Sequence, residues 1–247
     1  MTPAPAELLA HWSAEFDCPA KYLQQPGTFL VRSADLALNR FQLLRTGASA
    51  ILRVSSILED GTSQAALLGD PGPLAPAALG AQQLIERLRA LPLTMAWTEA
   101  IFCCDRSWER PRRVVAGGQR AALLRGQHAM ALRTLIADAG EREAFLSGVA
   151  EAEPPLYGSF DGNALCAVAG CVDQQTSITS VRVLVDPRQR RAGHGSAAAA
   201  ALISAQVGAG KLALMATSVS NRGAVRLARS LGMQHVAMEE GMELLGA

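Results

Sequence analysis

The sequence has no excess of charge of either sign. Its 23 lysines and arginines stand against 22 aspartates and glutamates, which leaves a formal net charge of +1 over 247 residues. A nearly neutral chain has no general electrostatic attraction to nucleic acid or to acidic membranes. We therefore expect neither of them as a partner, and any binding that depends on charge has to be local.

Metal motifs, disulfide patterns and long apolar segments are also missing. The 5 cysteines form no CxxC pair and have no histidine at metal-ligand spacing, which argues against a metal site and against a disulfide framework. No apolar run reaches the roughly 18 residues of a membrane span, and the N-terminal residues do not resemble a signal peptide. The cysteines are Cys18, Cys103, Cys104, Cys166 and Cys171. These absences predict buried free thiols in a cytoplasmic protein that binds no metal.

Length and composition predict two domains. A chain of 247 residues fits two modest domains better than one large one. The stretch SWERPRRVVAGG, residues 107–118, combines charge, proline and a glycine pair, which is typical of a domain junction. We therefore expect an N-terminal accessory domain over residues 1–117 and a second domain over residues 118–247.

The N-terminal half mixes helical and strand patterns. Apolar residues recur at helical spacing in residues 5–17 and 77–91. Alternating apolar and polar residues predict a pair of strands within residues 41–57, and residues 93–104 also have strand character. This half contains no phosphate-binding motif.

The C-terminal half has a clearer order of elements. Asp161 and Gly162 form a strong turn signal between two alternating segments, which predicts a hairpin. The predicted strands cover residues 121–124, 156–160, 164–172, 177–185, 212–217 and 234–245, and the predicted helices cover residues 128–139, 141–149, 196–207 and 221–231. Antiparallel strands that lead into a strand-helix-strand-helix-strand succession predict an α/β fold with a sheet of mixed direction.

The most unusual segment is VDPRQRRAGHG, residues 185–195, which lies between a predicted strand and a predicted helix. A helix N-terminus carries unpaired N–H groups and a partial positive charge, so it attracts anions, and phosphate above all. The two glycines leave room for a ligand close to the backbone. Arg188, Arg190 and Arg191 add guanidinium groups, which bind phosphate oxygens in a two-pronged manner. The segment therefore predicts a diphosphate site.

Two known phosphate-binding motifs, the P-loop and the dinucleotide fingerprint, are not matched fully by this chain. A P-loop needs a Gly-Lys pair followed by Ser or Thr, whereas the Gly-Lys pair of this chain is followed by Leu212. The dinucleotide fingerprint GxGxxG/A matches literally at Gly193, Gly195 and Ala198, but the next strand offers no carboxylate for a ribose hydroxyl. A nicotinamide-dependent dehydrogenase is therefore a weak alternative.

The arginine- and glycine-rich segment is followed by a second motif further along the chain. Residues 190–195 match the pattern Q/R-x-x-G-x-G/A. Asn221, Ala224 and Leu227 then match N-x-x-A-x-x-L, and a Leu-Gly pair follows with Met233 in place of the usual phenylalanine. Over roughly residues 120–247 the chain resembles the GNAT superfamily of acyl-CoA N-acyltransferases, in which these are the two hallmark motifs. The resemblance implies a GNAT-like, mostly antiparallel mixed sheet flanked by helices.

The resemblance also implies an N-acetyltransferase that uses acetyl-CoA. The cofactor's diphosphate would rest on the amides of residues 191–196, with the side chain of His194 turned away. Its pantetheine arm would pair with the strand edge at residues 183–185 like an added strand. The N-terminal domain would be a degenerate second copy of the fold or a lid that shapes the acceptor site. The implied cofactor-binding residues are Val183, Leu184, Val185, Arg190, Arg191, Ala192, Gly193, His194, Gly195, Ser196 and Asn221.

In such enzymes a neutral amine attacks the thioester directly, and backbone N–H groups at the strand edge stabilise the oxyanion. No single base or acid stands out in this sequence. Ala228 occupies the position at which many members carry a tyrosine that protonates the leaving thiolate. The candidate groups are Asp173 and Glu141 as bases, Glu143, Glu99 and Asp105 as further carboxylates, and Ser230 or water as the acid.

The acceptor is expected to be the primary amine of a small molecule or a peptide, and the sequence allows a homodimer. A second hypothesis is an acyl-CoA-binding sensor that does not turn the cofactor over. The alanine at position 228 favours that alternative, because it removes the usual acid.

Overall fold

In the computed structural model, the described residues are 1–36, 40–47, 49–55, 93–111, 120–172 and 177–244. The secondary structure elements are numbered in chain order. The strands are β1 (Gly27–Ser33), β2 (Arg40–Thr46), β3 (Ser49–Ser55), β4 (Leu93–Cys104), β5 (Ala121–Leu123), β6 (Glu153–Asp161), β7 (Ala164–Val172), β8 (Ile178–Val185), β9 (Leu212–Ser218) and β10 (Gln234–Leu244). The helices are α1 (Ala6–Glu15), α2 (Ala20–Gln24), α3 (Ala129–Ala139), α4 (Glu141–Ser147), α5 (His194–Gly208) and α6 (Arg222–Ser230).

Most of these bounds agree with the sequence patterns, but α2 and β1 have no counterpart among the predicted elements. The strand pair predicted within residues 41–57 is β2 and β3, and the hairpin predicted at Asp161 and Gly162 is β6 and β7. The segment predicted as one or two strands from residue 234 onward is the single strand β10. The helix predicted over residues 77–91 lies outside the described residues.

The chain divides into two compact units. Unit 1 comprises Met1–Ile101, Ser218–Ser220 and His235–Ala247, and unit 2 comprises Phe102–Thr217 and Asn221–Gln234. The end of the sequence therefore groups with unit 1. The domain boundary predicted between residues 117 and 118 lies outside the described residues and stays a prediction.

Unit 1 is built on strands in the order β1-β3-β2-β10. β1 runs parallel to β3, whereas β2 pairs antiparallel with both β3 and β10. Leu8, Trp12 and Phe16 are buried at four-residue spacing along α1 and its C-cap, because this spacing places them on one helix face. The same side chains gave the helical pattern in the sequence.

Unit 2 contains the strand order β9-β8-β7-β6-β5. β8 runs parallel to β9, and the other neighbours run antiparallel. The predicted fold class, an α/β fold with a mostly antiparallel sheet flanked by helices, is confirmed.

Helices cover both faces of the unit 2 sheet. On one face Leu135 of α3 and Val149 are buried with Val168 and Leu184 of the sheet. On the other face α5 buries four consecutive alanines, Ala197–Ala200, because side chains this small let the whole helix approach the strands. No helix in the described ranges is long and apolar enough to cross a membrane.

Candidate functional site

The loop between β8 and α5 is held by a network around Asp186. The Oδ1 atom of Asp186 accepts hydrogen bonds from the backbone N–H of Arg188 at 2.9 Å and from its Nε at 3.1 Å. These bonds, the side-chain one first, lower the pKa of Asp186 below its usual range. The amide of Asp186 donates to the carbonyl of Cys166 on β7 at 2.9 Å. The loop is therefore fixed in place before any ligand binds.

The three arginines of this loop have different surroundings. Arg188 pairs with Asp186 and also with Asp138 of α3, so two carboxylates balance its charge. The Nη2 atom of Arg190 lies 2.7 Å from Oε2 of Glu143, and both side chains are about half exposed. Arg191 is exposed and, within the part of the chain that the structure describes, makes no ion pair. Arg188 thus stabilises the loop, whereas Arg191 is available to an anion.

Helix α5 begins next to these arginines without a side-chain cap among the described residues. Its N-cap is Gly193, whose φ of 91° lies in the left-handed region that favours glycine. The carbonyl of Gly193 accepts the N–H of Ala197 at 3.0 Å, and the N–H groups of the residues between them have no acceptor within a regular helix. These amides can therefore bind an anion.

Gly195 has a packing role that the sequence analysis did not predict. A Cβ atom at this position would lie only 2.8 Å from Cγ2 of Val185. The missing side chain therefore points towards β8, where it allows the helix to pack closely against the strand. The predicted approach of a ligand to the backbone of Gly195 stays a prediction.

The side chain of His194 is buried, with only 5% of its surface exposed. Its Nδ1 atom lies 2.9 Å from Oγ of Ser159, a residue of β6 whose exposed fraction is 0%. No sequence pattern singles out Ser159, because it is one serine in a strand. A histidine in this position is turned into the protein, as expected for a residue without an acid–base role.

One edge of β8 is open next to this helix start. β8 pairs with β7 as far as Val185, opposite Ala167. Its pairing with β9 extends only from Ile178 to Ser180. The backbone groups of residues 181–185 that point away from β7 therefore have no partner in β9, so an extended ligand could pair with them.

Asn221 begins helix α6, the helix of the second motif. Its Oδ1 accepts a hydrogen bond from the backbone N–H of Ala224 at 3.1 Å, which is an N-cap interaction. Only the side-chain NH2 group is left to bind a ligand, so the predicted contact between Asn221 and the cofactor would have to use it.

Residues 128–233 match the model of the Acetyltransferase (GNAT) family. The C-terminal part of this chain is a GNAT domain. All of the predicted cofactor-binding residues lie within the matched segment.

Several solved structures are similar to the chain at low sequence identity. A GNAT-family acetyltransferase from Colwellia psychrerythraea is 13% identical over 78% of this chain and 76% of its own, with a TM-score of 0.48. A GCN5-related N-acetyltransferase from Sphaerobacter thermophilus is 14% identical over 66% and 56% of the two chains, with a TM-score of 0.49. A GCN5-related N-acetyltransferase from Kribbella flavida is 20% identical over 66% and 64%, with a TM-score of 0.44. No curated protein matches the sequence.

The GNAT domain lacks the usual acid on α6. Ala228, at the tyrosine position, has an exposed fraction of 0% and fills core space. Ser230 is exposed, and its hydroxyl donates to the carbonyl of Leu227 in its own helix at 2.8 Å. Neither residue presents an acid to a leaving group in this arrangement.

The candidate bases differ in their surroundings. Glu141 is exposed in the first turn of α4, and Glu143 is paired with Arg190. Hydrogen bonds from Ser107 lower the pKa of Asp105, which weakens it as a base. Asp173 lies outside the described residues.

The cysteines of the chain are poor candidates for a nucleophile. All 5 cysteines of the chain are free and buried. Burial first, and the charge of Asp105 second, raise the pKa of Cys103 to about 12, and burial also raises the pKa of Cys104. Because the thiolate is the reactive form, these two thiols are inert near neutral pH.

Outside the GNAT domain, unit 1 holds a carboxyl group that sequence reasoning missed. Burial, with smaller contributions from the charges of Glu15 and Glu99, raises the pKa of Glu239 to about 7. Gln42 opposes this shift by donating a hydrogen bond of 2.5 Å from Nε2 to Oε1 of Glu239. No local pattern could reveal this group, since the side chains that act on it come from four other segments of the chain.

Proposed function

We propose that this chain is an N-acetyltransferase that transfers an acetyl group from acetyl-CoA to a primary amine of a small molecule or peptide. The observation that carries the proposal is the junction of β8 and α5. An open strand edge at residues 181–185 precedes the start of α5, and Arg191 lies between them. Among the residues that the structure describes, the helix start has no side-chain cap and Arg191 has no ion pair. The same three features would suit the arm and the diphosphate of coenzyme A.

The residues of this junction fit the ligand chemically. The amides at the start of α5 and the guanidinium of Arg191 would bind the diphosphate, because both offer donors and positive charge to phosphate oxygens. Arg190 could join them by exchanging its ion pair with Glu143 for the ligand. Backbone N–H groups of residues 183–185 would orient the arm and stabilise negative charge on the carbonyl oxygen.

Bound acetyl-CoA would supply an electrophilic thioester carbonyl to the attacking amine. An alkyl amine has a pKa of about 10.4, so the chain has to accept a proton from it through a carboxylate or a water chain. The thiol that leaves has a pKa of about 8.5, so it can depart as a thiolate when no side chain protonates it. Transfer would therefore proceed with alanine at position 228.

A second candidate function is an acyl-CoA-binding module without turnover. The burial of Ala228 and the internal hydrogen bond of Ser230 favour it, because neither residue supplies an acid. Both candidates share the same coenzyme site, and they differ only in whether the thiol is released. For both candidate functions, the free, buried thiols support a reducing compartment such as the cytoplasm as the location of this chain.

Thermal melting with and without acetyl-CoA, followed by a thiol-release assay with a panel of amines, tests the proposal. A ligand at 100 times its Kd stabilises the folded state by about 2.7 kcal/mol, which is readily measured. Stabilisation together with thiol release supports the transferase, and stabilisation without release on any amine supports the binding module. No stabilisation at millimolar acetyl-CoA would overturn both.

The variant Arg191→Ala locates the diphosphate. Loss of a charge-assisted contact should weaken acetyl-CoA binding about tenfold or more in isothermal titration. Arg229→Ala is the matched control, because Arg229 is also an exposed arginine of unit 2 but lies in the last turn of α6. Equal affinities of the two variants would show that the diphosphate binds elsewhere.

A further inference from the structure

The first turn of α5 lies over one row of the unit 2 sheet. Ser159 of β6 is opposite Ala167 of β7, and Ala167 is opposite Val185 of β8. Directly opposed residues project on the same face of a sheet, so these three side chains form the row. His194 contacts the Ser159 end of the row, and Gly195 contacts the Val185 end.

Loss of the hydrogen bond between His194 and Ser159 would lower the stability of the folded state. Both side chains are almost completely buried, and a buried polar group without a partner costs free energy. The small side chain of Ala167 lies between Ser159 and Val185 in the row. An apolar residue at position 194 would need no partner, so the histidine adds a directional constraint that packing alone does not supply.

Beyond this hydrogen bond, the helix start is held by the packing of small side chains such as Ala197. Gly193 has a left-handed conformation, and no described side chain caps the helix. Glycines on both sides of His194 leave the backbone with wide conformational freedom. The hydrogen bond between His194 and Ser159 and the close contact of Gly195 with Val185, together with the buried Ala197, therefore set the position and rotation of this turn.

We propose that Ser159 and His194 are positioning residues for the acetyl-CoA diphosphate: their buried hydrogen bond fixes the first turn of α5 so that its free amides converge on one anion. The inference rests on the proposed function, since it concerns the same coenzyme site. Neither side chain contacts the coenzyme or the reacting atoms. Both act through the backbone amides of residues 194–196.

Four variants separate positioning from stability. Ser159→Ala and His194→Leu each leave one buried polar group without a partner, so both should lower the melting temperature. The double variant Ser159→Ala/His194→Leu removes both polar groups and should recover most of that loss. His194→Asn keeps a polar atom near the position of Nδ1 and should preserve the bond.

Affinity for acetyl-CoA, measured by isothermal titration, is the deciding readout. We expect both single variants and the double variant to bind acetyl-CoA about fivefold to tenfold more weakly than the wild type. A change of this size is similar to the net free energy of about one hydrogen bond. His194→Asn should bind within about twofold of the wild type. If the double variant recovers both its melting temperature and its affinity, the pair serves only packing and the inference is wrong.

Val149→Ala is the stability control. Val149 is buried in the apolar cluster beside Leu184, on the opposite face of the sheet from α5, so the variant destabilises unit 2 without touching the row. It should bind acetyl-CoA with wild-type affinity, and an equal loss of affinity in this variant would overturn the inference. If the wild type itself does not bind acetyl-CoA, the proposed function fails as well. If Arg191→Ala weakens binding and Ser159→Ala does not, only the positioning role fails.

Discussion

Units 1 and 2 place their polar groups in different parts of the fold. In unit 2 the polar groups that matter lie at a strand-to-helix junction, and the sheet beneath is covered by alanines. In unit 1 a polar chain crosses the sheet itself: Arg53 donates to Ser33 at 2.7 Å and to Gln42 at 3.3 Å, and Gln42 donates to Glu239. The comparison shows that a junction motif is local in sequence, whereas a network across strands is not.

The largest effect is expected where unit 2 is most tightly packed. Gly195→Ala would place a Cβ atom 2.8 Å from Cγ2 of Val185, a β-branched side chain that cannot easily move. The helix start has to shift, at a cost of about 1–3 kcal/mol of stability, and acetyl-CoA binding should fall with it. Gly208→Ala, on the same helix with no atom within 4 Å of the new Cβ, should leave stability unchanged or raise it. Equal melting temperatures for the two variants would contradict the close packing.

An effect of similar size, but confined to high pH, should distinguish unit 1. Because the folded-state pKa of Glu239 is raised to about 7 from an ordinary value of 4.5, the folded state binds the proton more tightly than the unfolded state between these values. Stability from this group is therefore fully present below about pH 4.5 and is lost as the pH rises towards 7. Glu239→Gln should raise stability at pH 8 by about 1–3 kcal/mol and leave it nearly unchanged at pH 5.

Urea titrations of unfolding at several pH values would measure this difference. Glu243→Gln on the same strand is the control, because the partly exposed Glu243 forms a surface ion pair with Arg40. A gain in Glu239→Gln that is the same at pH 5 and pH 8 would show that the carboxyl group is not buried as described.

A smaller effect, on the affinity for acetyl-CoA, is expected from the ion pair beside the proposed diphosphate site. Glu143→Gln frees Arg190 from its carboxylate partner, so acetyl-CoA should bind about twofold to fivefold more tightly at low salt. The gain should shrink at 1 M salt, where the screening length is about 3 Å. Weaker binding in this variant would mean that Glu143 itself contributes to the site.

The smallest effect is expected when the native protein is treated with a thiol reagent. All cysteines are buried, and the raised pKa values of Cys103 and Cys104 keep them as thiols near neutral pH. A disulfide-exchange reagent should therefore label the native protein very slowly, and should label all 5 cysteines after unfolding in guanidinium. Rapid labelling of a native thiol would contradict this burial.

Sequence reasoning succeeded where the cause of structure is local. The sequence was sufficient to predict the helices and strands of unit 2 and to locate the two motifs, because neighbouring residues determine these features.

Sequence reasoning missed contacts that depend on a distant segment. The predicted ligand contacts of Gly195 and Asn221 stay predictions. The packing of Gly195 against Val185 was not visible in the sequence. Ser159 and Glu239 were missed, because their partners are on other strands.

The pairing of β10 with β2 has a consequence for how the polypeptide matures. Residues 40–46 leave the ribosome early, but their antiparallel neighbour is translated about 190 residues later. Contacts between such distant segments form slowly, because the intervening loop has to close first. The sheet of unit 1, whose first strands are synthesised early, is thus completed last. In a fragment that stops after residue 117, the edge of β2 that pairs with β10 would have unpaired backbone groups, which favour aggregation.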